Sequence, residues 1–453
     1  MRIKLTNRYT LGQILFAIGG KGRNIDNRII EYISTDTREL YPGDLFFPLC
    51  GKNYNGEDFV EEAKSRGAIA LSQKPGSQIQ IDNGLDALIR LSIYHLSRCR
   101  ALRYKIAITG SVGKTSVKEF TKFILSSSIK THATKHNYNN SLGLCHTLLT
   151  APTDSEALVV EMGMNAPGEI SDMSKMLSPS IGVITNIGFS HIGMLGSREQ
   201  IALAKSEIRD GITNGVVLCP HNEPLLSCVR GKKTLSAFDE TADFYFREHS
   251  GGVTLYHHGG RIENINIPPS LSHIKESVYF AIAIGCLCSL KENKIREAVC
   301  RLSPVSSRGS FVSYGGFKFY DDSYNSSPES VISDLKMLVS SCHGNVSALL
   351  GDILELGDYS EQIHRDLGKS IAAFQPCHLF LFGNFAYAVA EGAISEGYDK
   401  NKIFINPDLS APEKTAYDIY KNCGRDESIL MKASHSVDIK RVSLLLEEIK
   451  NYD

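Results

Sequence analysis

The sequence lacks an excess of charge of either sign. Its 49 lysines and arginines stand against 50 aspartates and glutamates, so the formal net charge is -1 over 453 residues. A chain so nearly neutral has no overall electrostatic field that would recruit nucleic acid or an anionic membrane. Neither is therefore expected as a partner, and any anionic ligand must be captured by a local arrangement of residues.

Paired cysteines and long apolar runs are also missing. The 11 cysteines are scattered, without CxxC pairs or Cys/His clusters at the spacing of a metal site, and no signal-peptide pattern precedes them. They are expected to be reduced thiols that pack as small apolar side chains and carry no function. The longest early apolar run, Ile14 to Ile18, is far shorter than the ~20 residues of a membrane-spanning helix. We expect a soluble cytoplasmic protein, with a monomer as the default state.

What the chain does contain is a recurring sequence of short apolar runs, each followed by a helical pattern. Continuous apolar character is typical of buried parallel strands. Such runs occur at residues 105–109, 157–161 and 182–185, and again at residues 346–350, 379–382 and 429–431. The sequence therefore predicts an α/β protein with one parallel sheet in the middle of the chain and a second one in its last third.

The length of the chain indicates more than one domain. At roughly 150 residues per domain, 453 residues correspond to about three. A first compact α/β segment has its own turn signals, and turn-forming residues interrupt the pattern again near residues 306–309. The predicted order is an N-terminal domain (1–82), a central domain (83–308) and a C-terminal domain (309–453).

A glycine-rich turn follows the first strand of the predicted central sheet. The segment Gly110-Ser-Val-Gly-Lys-Thr115 leads from this strand into a helical pattern, which is the context of a Walker-type phosphate loop. Backbone N–H groups surround the phosphate, the helix N-terminus favours the anion, and Lys114 adds a positive charge. Thr115 can then ligate Mg2+. Ile108 occupies the position of the leading glycine, so the motif is the shorter G-x-x-G-K-T, and a purely structural turn is the alternative.

Three further side chains lie where a ligand of this loop would be held. Glu161 ends the second central strand, at the carboxyl edge of the sheet, where a carboxylate can hold Mg2+. Such a glutamate is usually structural, but the neighbouring phosphate loop favours the functional interpretation. His191 follows the third strand and Lys205 lies on the next helical segment. Spacing alone does not distinguish these two from an ordinary surface histidine and a solvated lysine.

Several longer motifs occur in a fixed order along the chain. They are residues 34–38 and 42–46 at the front, residues 109–119, 137–143, 160–170, 184–198 and 204–208 in the middle, and residues 321–328 and 350–357 with His364 in the last third. In this order they resemble the Mur ligase family over nearly the whole chain. The resemblance implies a three-domain Mur ligase architecture, with a UDP-sugar-binding N-terminal domain, a central P-loop parallel-sheet domain and a Rossmann-like C-terminal domain for the incoming amine substrate.

The motifs most resemble those of the family members that add D-alanyl-D-alanine to a UDP-N-acetylmuramoyl-tripeptide during cytoplasmic peptidoglycan synthesis. The resemblance implies this activity, with ATP and Mg2+ as cofactors and with the UDP-N-acetylmuramoyl-peptide and D-alanyl-D-alanine as partners. ATP would phosphorylate the terminal carboxylate of the peptide, and the amine of the dipeptide would attack the resulting acyl phosphate. Rotation of the C-terminal domain would close the site and exclude water.

The resemblance also implies roles for individual residues. It assigns ATP binding to Gly110, Ser111, Gly113, Lys114, Thr115, Ser116, Asn140, Arg308 and Asp322. It assigns metal binding to Thr115, Glu161, His191 and Lys205, and a catalytic part to Lys114, His191 and Lys205. It assigns substrate binding to Ser34, Thr37 and Arg38, at the uridine nucleotide, and to Tyr324 and Asn325. In this family the lysine at the position of Lys205 is carried as a carbamate, which converts a cationic side chain into a carboxylate able to support Mg2+.

The sequence departs from the family pattern in three regions. Ile274 and Ser277 stand in the places of two asparagines of the nucleotide site, so one nucleotide contact is missing or is supplied from elsewhere. His136 replaces a common glycine. Ala433 and His435 stand where a glycine and an arginine are usual, close to the expected position of the incoming amine, which raises the possibility of a different amine substrate.

Two other interpretations stay open. A Mur-like ligase with a different amine or acceptor keeps the enzyme class, although the motif at residues 34–38 argues for a UDP-linked acceptor. A non-catalytic nucleotide-binding protein is the second alternative. The joint presence of the loop lysine, Glu161, His191, Lys205 and Asp322 argues against it. A GTPase is disfavoured because no Asn-Lys-x-Asp motif occurs.

Overall fold

The computed structural model describes residues 1–22, 26–51, 54–304, 309–342 and 345–450. In chain order its strands are β1 (Arg2–Thr10), β2 (Lys21–Gly22), β3 (Ile29–Ser34), β4 (Leu45–Phe46), β5 (Cys50–Gly51), β6 (Tyr54–Asn55), β7 (Ile69–Ala70), β8 (Ile79–Gln80), β9 (Tyr104–Thr109), β10 (Thr131–Ala133), β11 (Ala157–Glu161), β12 (Ile181–Ile184), β13 (Val216–Pro220), β14 (Lys232–Ser236), β15 (Phe244–His249), β16 (Gly252–His257), β17 (Gly260–Ile265), β18 (Ser310–Tyr314), β19 (Phe317–Asp321), β20 (Val346–Gly351), β21 (Leu379–Phe382), β22 (Ile403–Asn406) and β23 (Ser428–Lys432).

The helices surround the sheets formed by these strands. They are α1 (Leu11–Ile18), α2 (Val60–Ser65), α3 (Gly84–Arg98), α4 (Lys114–Ser126), α5 (Ser141–Leu149), α6 (Glu169–Leu177), α7 (Ile192–Leu195), α8 (Arg198–Ser206), α9 (Lys275–Leu287), α10 (Glu292–Val299), α11 (Pro328–Ser341), α12 (Ser360–Ala372), α13 (Ala386–Ser395), α14 (Pro412–Asn422) and α15 (Lys440–Lys450). Within the described ranges, none of these helices is both long and apolar enough to cross a membrane.

The N-terminal unit is built on a four-stranded sheet with the order β1-β3-β4-β7. Strands β1 and β3 pair antiparallel, and the remaining pairs are parallel. Helix α1 begins at a capping box between Thr10 and Gln13 and ends at Gly19, which has a φ of 71°. Both ends of this short helix are thus satisfied locally, which leaves its apolar face to the core.

The central sheet has nine strands in the order β10-β11-β9-β12-β13-β14-β15-β16-β17. The pairs from β10 to β15 are parallel, and β15, β16 and β17 form an antiparallel meander at one edge. All five residues of β11 are buried, as continuous apolar strands in a sheet covered on both faces should be. The strands predicted in this region from apolar runs are β9, β11 and β12, and that prediction is confirmed.

The C-terminal sheet has the order β18-β19-β23-β20-β21-β22. It is parallel except for β18, which pairs antiparallel with β19 at the edge. The three runs predicted as buried strands in the last third of the sequence are β20, β21 and β23. The prediction of an α/β protein with two parallel sheets is therefore confirmed.

The structure gives different information about the two predicted domain limits. The limit after residue 82 falls just before α3, and this helix packs against both α1 and α5, so it contacts the N-terminal and the central unit. The limit after residue 308 lies beside residues 305–308, which are outside the described ranges. Both limits stay predictions.

Candidate functional site

The glycine-rich segment forms a tight turn between β9 and α4. Gly110 and Gly113 have φ angles of 147° and 83°, in the region that glycine adopts at low cost. A Cβ atom on Gly110 would lie 1.9 Å from Oγ1 of Thr185, so no larger residue fits there. The turn ends at the N-terminus of α4, with Gly113 as the N-cap. This is the backbone geometry that binds phosphate groups.

The segment that follows β12 holds the loop in place through hydrogen bonds. Oδ1 of Asn186 accepts hydrogen bonds from the backbone N–H groups of Ser111, at 3.0 Å, and Val112, at 2.9 Å. Thr185 Oγ1 donates to the carbonyl of Val112 at 2.6 Å. The sequence analysis did not single out Asn186, although it lies within the motif at residues 184–198. The sequence feature that could have identified Asn186 is its position directly after a central strand.

The first helical turn of α4 carries the two polar side chains of the loop. The ammonium group of Lys114 donates to the carbonyls of Gly110, at 2.7 Å, and Ser111, at 3.1 Å. It is therefore folded over the turn, at the position that a terminal phosphate would take. Thr115 Oγ1 donates to Oε2 of Glu161 at 3.0 Å, which connects the loop to the end of β11.

Glu161 is buried, with 3% of its surface exposed. Its second oxygen, Oε1, accepts a hydrogen bond from Nδ2 of Asn139 at 3.1 Å. A buried carboxylate beside a threonine hydroxyl offers the hard oxygen donors that Mg2+ requires. This donor set therefore fits the Mg2+ ion that the sequence predicted at Thr115 and Glu161.

The neighbouring residue, Asn140, makes a different contact. Asn140, which the sequence analysis assigned to the nucleotide, is the N-cap of α5 and accepts a hydrogen bond from the N–H of Gly143 at 2.9 Å. Asn139, which was not singled out, is the residue that contacts Glu161. Both lie in one asparagine-rich segment, where sequence alone does not tell which side chain faces the carboxylate.

Lys205 lies on α8 and is almost completely buried, with 2% of its surface exposed. Burial, with the nearby ammonium of Lys114, lowers the pKa of Lys205 well below its usual range. A lowered pKa favours the uncharged form of the amine. A neutral amine is the form that adds CO2, so the environment of Lys205 fits the carbamate that the resemblance implies.

His191 lies between the central and C-terminal units. Its Nδ1 is 2.8 Å from Oε2 of Glu355, in the loop that follows β20. Contact with His191 lowers the pKa of Glu355. Glu355 belongs to the motif at residues 350–357, but the sequence analysis gave it no role. Its proximity to His191 depends on how the two units pack, which no local pattern shows.

These side chains line a cavity of about 1190 Å3, here called the first cavity. It contains Lys114, Thr115, Asn139, Asn140, Glu161, His191, Lys205, Tyr324, Asn325 and Glu355. The structure therefore brings together residues that are up to 241 positions apart in the sequence, from Lys114 to Glu355. A cation surrounded by these groups would be close to the phosphate loop on one side and to the C-terminal unit on the other.

A second cavity, of about 1200 Å3, lies on the other side of the loop. Its lining includes Gly113, Thr115, Ser116, His273, Ile274, Ser277, Asp322 and Asp334. Thr115 lines both cavities, as does Pro304. The loop thus stands between two spaces, each large enough for a substrate of several hundred cubic ångströms.

The C-terminal unit contributes a buried charge cluster to the second cavity. The completely buried Lys432 donates to Oδ2 of Asp322 and, at 2.7 Å, to Oδ2 of Asp334. Burial alone would lower the pKa of Lys432, but the two carboxylates raise it. The lysine is therefore held in its charged form and fixes Asp322 at the cavity wall. Arg308, which the sequence assigned to the same nucleotide site, lies outside the described residues.

The two departures in the nucleotide region both line the second cavity. Ser277 lies over the phosphate loop, because a Cβ atom on Gly113 would come within 3.3 Å of its Oγ. Ile274 is the N-cap of α9 and makes no side-chain cap hydrogen bond. Beside it, Nδ1 of His273 is buried without a hydrogen-bond partner among the described residues. The cavity therefore keeps one unsatisfied polar atom next to the apolar Ile274.

Besides the contact between His191 and Glu355, further hydrogen bonds join the central unit to the C-terminal unit at the cavities. The N–H of Phe189 donates to Oε1 of Glu329 at 3.1 Å. The N–H of Gly193 donates to the carbonyl of Glu355 at 3.0 Å, and the hydroxyl of Tyr359 donates to the carbonyl of Gly196 at 2.8 Å. The C-terminal unit is therefore docked on the segment that carries His191.

The residues predicted to hold a uridine nucleotide lie apart from both cavities. Ser34 is buried at the end of β3 and donates to the carbonyl of Asp36 at 3.0 Å. Thr37 is buried beside it. Arg38 is exposed and pairs with Asp36 at 2.6 Å. None of the three is among the described residues that line either cavity.

Tyr324 and Asn325, the other predicted substrate residues, line the first cavity. They follow β19 in the C-terminal unit. The ring of Tyr324 lies edge-on to the ring of His435, with centroids 5.8 Å apart. Of the two C-terminal departures, His435 is thus in contact with a residue of the first cavity.

Comparisons with known proteins agree with this geometry. Residues 108–274 match the family model described as the Mur ligase middle domain. The UDP-N-acetylmuramoyl-tripeptide–D-alanyl-D-alanine ligase of Bacillus subtilis is 31% identical over 431 residues, covering 92% of this chain and 93% of the relative. The ligase of the same name from Escherichia coli is 28% identical and covers 97% of this chain and 98% of the relative. A crystal structure of MurF from Acinetobacter baumannii superposes with a TM-score of 0.87 at 28% identity, covering 98% of this chain and 100% of that structure.

Proposed function

Since this chain belongs to the Mur ligase family, we propose that its two cavities bind different substrates of an ATP-dependent ligation. The enzyme joins D-alanyl-D-alanine to UDP-N-acetylmuramoyl-tripeptide, as the names of its relatives state for them. This is a step of peptidoglycan precursor synthesis. We place the reaction in the cytoplasm, with a monomeric enzyme. The observation that carries the proposal is the position of the phosphate loop between two cavities that share Thr115.

ATP takes the second cavity and the acceptor peptide takes the first. The base and ribose would lie near Ile274, Ser277 and Asp322, with the phosphates extending along the loop toward Thr115. The terminal carboxylate of the peptide would approach from the first cavity, which Lys114 and Lys205 line. The carboxylate oxygen and the γ-phosphorus would then meet in line near Thr115, which lines both cavities.

Mg2+ would be held by Thr115 and Glu161, and by Lys205 in its carbamate form with His191. When bound, the ion neutralises charge between the ATP oxygens and the acceptor carboxylate. Oxygen donors at Thr115 and Glu161 suit this cation in the unmodified chain. The site at Lys205 suits it only after the amine has taken up CO2, because a protonated lysine would repel the ion.

The residues of the chain position the reactants and balance their charge. Lys114 exchanges its contacts with the loop carbonyls for the transferring phosphate and remains a positive charge there. The peptide carboxylate oxygen attacks the γ-phosphorus, the bond to the β-phosphate oxygen breaks, and ADP leaves. The amine nitrogen of the dipeptide then attacks the acyl carbon, inorganic phosphate departs, and the ammonium proton of the nucleophile passes to solvent or to phosphate.

The incoming dipeptide would bind where the C-terminal unit closes the first cavity. Tyr324 and Asn325 line this region, and His435 supports the tyrosine ring. Ser34, Thr37 and Arg38 would hold the uridine nucleotide of the acceptor, far enough from the loop for the peptide to span the distance. The exposed guanidinium of Arg38 is the group suited to a diphosphate.

The test is phosphate release from ATP by the purified enzyme, with the UDP-linked tripeptide and D-alanyl-D-alanine omitted in turn. We expect release to require both substrates and mass spectrometry to find the UDP-linked pentapeptide. Lys114→Ala should reduce kcat by at least about 10²-fold, the effect of removing one donor to a developing charge. Lys130→Ala, at an exposed lysine paired with Asp154, is the matched control and should leave the rate unchanged.

A second candidate keeps the mechanism and changes the amine. It is favoured by His435, which contacts Tyr324 where the family usually has an arginine. Phosphate release that requires the UDP-linked peptide but not D-alanyl-D-alanine would support this candidate, and a panel of amines would then identify the substrate. Absence of turnover with every amine would contradict both.

A further inference from the structure

Three potential metal ligands meet at the edge of the C-terminal sheet that is opposite to the cavities. His378 immediately precedes β21, Glu427 immediately precedes β23, and Cys423 follows α14. Asp322, by contrast, lies after the carboxyl end of β19. Since strands rise about 3.3 Å per residue, the length of β20 separates the two edges by roughly 16 Å or more. The cluster is therefore distinct from the site of ligation.

The ligand atoms are as close together as they would be around a single ion. Nδ1 of His378 and Sγ of Cys423 are each 3.3 Å from Oε2 of Glu427. All three ligand atoms lie within 4.8 Å of one another. A tetrahedral zinc ion with ligands at about 2.0–2.3 Å places neighbouring ligand atoms roughly 3.3–3.8 Å apart. The cluster thus needs only small side-chain adjustments to surround such an ion.

The cluster is built into the fold. Cys423 and Glu427 are buried, and His378 is partly exposed. The N–H of Gly424 donates to Oε1 of Glu427 at 2.8 Å, which fixes the carboxylate and turns Oε2 toward the other two ligands. The hydroxyl of Ser347 contacts Oε2 and accepts a hydrogen bond from the N–H of His378 at 3.1 Å. These outer contacts orient the ligands in the way that the surroundings of metal sites do.

We propose that His378, Cys423 and Glu427 bind Zn2+. An imidazole, a thiolate and a carboxylate form a donor set of intermediate softness that suits zinc, whereas Mg2+ and Ca2+ take oxygen ligands. The partly exposed side of His378 leaves the fourth position to a water molecule. Formation of the Zn–S bond breaks the S–H bond of Cys423, and the proton passes to solvent.

The consequence of this site is structural. The ligands join the start of β21 to the short segment between α14 and β23, whose Cys423 lies 45 residues after His378 in the chain. A bound ion would cross-link them and stabilise the C-terminal unit against unfolding. Because the ion is remote from the phosphate loop, it adds nothing to the chemistry of ligation, and its test does not depend on the proposed function.

The competing interpretation is a hydrogen-bonded network without metal. In that case the thiol of Cys423 and the hydroxyl of Ser347 simply satisfy the carboxylate of Glu427. The two interpretations differ in what the cluster does with a transition metal, since a satisfied network has no site for it.

The experiment uses the full-length protein, freed of metal by a chelator that is then removed. Zn2+ is titrated against a chromophoric competitor, and Co2+ is used separately as a spectroscopic substitute. In buffer that already contains saturating Mg2+, we expect one Zn2+ ion per chain, a thiolate-to-cobalt charge-transfer band, and an increase in unfolding temperature when Zn2+ is added. A native protein that takes up neither metal would overturn the proposal.

Variants locate the ion. Cys423→Ser should abolish the charge-transfer band and weaken Zn2+ binding by more than the roughly 10–100-fold that loss of an outer-shell partner causes. His378→Gln, at a partly exposed position, should weaken binding in a protein that still folds. The control is Cys300→Ser, at an exposed cysteine that directly follows α10 in the central unit, which should keep the band. Binding that survives both ligand substitutions would refute the assignment.

Discussion

At the scale of single residues, Lys205 has the most unusual environment. It is buried beside another lysine, and no residue type is less suited to burial as a cation. Burial favours an uncharged amine at this position, next to a predicted metal site. Chemical modification of the amine would explain such an environment.

Carbamate formation makes activity dependent on dissolved CO2. We expect ligation by the wild-type enzyme to fall in CO2-depleted buffer and to recover when bicarbonate is added. Carbon-13 NMR with labelled bicarbonate should show a carbamate signal that is absent in Lys205→Ala. If depletion leaves the rate unchanged and no signal appears, Lys205 acts as an unmodified amine.

Lys205 should also reduce stability in the unmodified protein. Because burial lowers its pKa in the folded state, the unfolded chain binds the extra proton between the folded pKa and the ordinary value of about 10.4. Stability therefore rises with pH through that window and is lowest below it. Lys205→Met removes this cost, about 1.4 kcal/mol for each unit by which the pKa is lowered.

Urea unfolding in bicarbonate-free buffer measures this effect. The gain of Lys205→Met over wild type should be larger at neutral pH than near pH 10. Lys175→Met, at an exposed lysine on α6, should give no gain at either pH. A gain that is independent of pH would mean that the methionine stabilises by packing rather than by removing a depressed pKa.

Lys114, Glu161, His191 and Lys205 were singled out separately from the sequence, and the structure brings them to one cavity. The roles assigned to them stay predictions. Sequence did not distinguish between neighbours, since Asn140 caps a helix while Asn139 contacts Glu161. Sequence order does not specify which of two adjacent side chains faces a distant strand.

At the scale of elements, the start of α9 shows the effect of a departure from the family pattern. Ile274 is the N-cap of this helix and lines the second cavity. An isoleucine provides neither a cap for the helix nor a hydrogen bond for a nucleotide. We therefore expect fewer polar contacts to a nucleotide here than in a relative that has asparagine.

Restoring asparagine at this position should improve ATP binding. One additional hydrogen bond contributes a net free energy of about 0.5–1.5 kcal/mol. We therefore expect Ile274→Asn to lower the KM for ATP roughly two- to tenfold. Steady-state kinetics with saturating acceptor and amine measure the change. Ile274→Ala, which shortens the side chain without adding a polar group, should not lower the KM; an equal decrease in both variants would trace the effect to space rather than to hydrogen bonding.

Elements were predicted best where burial is uniform. The runs at residues 157–161 and 379–382 coincide with β11 and β21 because both faces of a parallel strand are covered. The meander β15 to β17 was not predicted. Strand β15 changes from the buried Phe246 to the exposed Arg247, and β17 buries only Ile262 and Ile265, so neither strand has an apolar run longer than three residues.

At the scale of the whole molecule, the fold is the predicted three-domain Mur ligase architecture, which the likeness to a MurF structure over nearly the whole chain confirms. The sequence could not show how closely the C-terminal unit docks. A Cβ atom on Gly193 would lie 2.4 Å from the backbone N of Gly357. Helix α7 and the loop that carries Glu355 are thus in backbone contact, and their approach depends on a glycine.

Gly193→Ala should therefore separate the two units. The added methyl displaces the loop with Glu355 from His191, and a misplacement of about 1 Å can lower kcat by roughly 10²-fold. Small-angle scattering with ATP bound should give a larger radius of gyration than for wild type.

The matched control is Gly285→Ala on α9, where the nearest atoms lie 3.4 Å from the added Cβ. This variant should keep both the wild-type rate and the wild-type dimensions. If Gly193→Ala has the wild-type rate and dimensions, docking at α7 is not needed for the reaction.

The residues that line both cavities have a consequence for inhibitor design. Thr115 and Pro304 border both spaces, so we expect a single molecule that occupies both to contact these two residues where it crosses from one space to the other. An adenosine-like fragment joined to an acyl fragment would need a slender, flexible linker at this point. Bulk placed in the middle of such a compound would exclude one half of it, whereas bulk at either end would be accommodated.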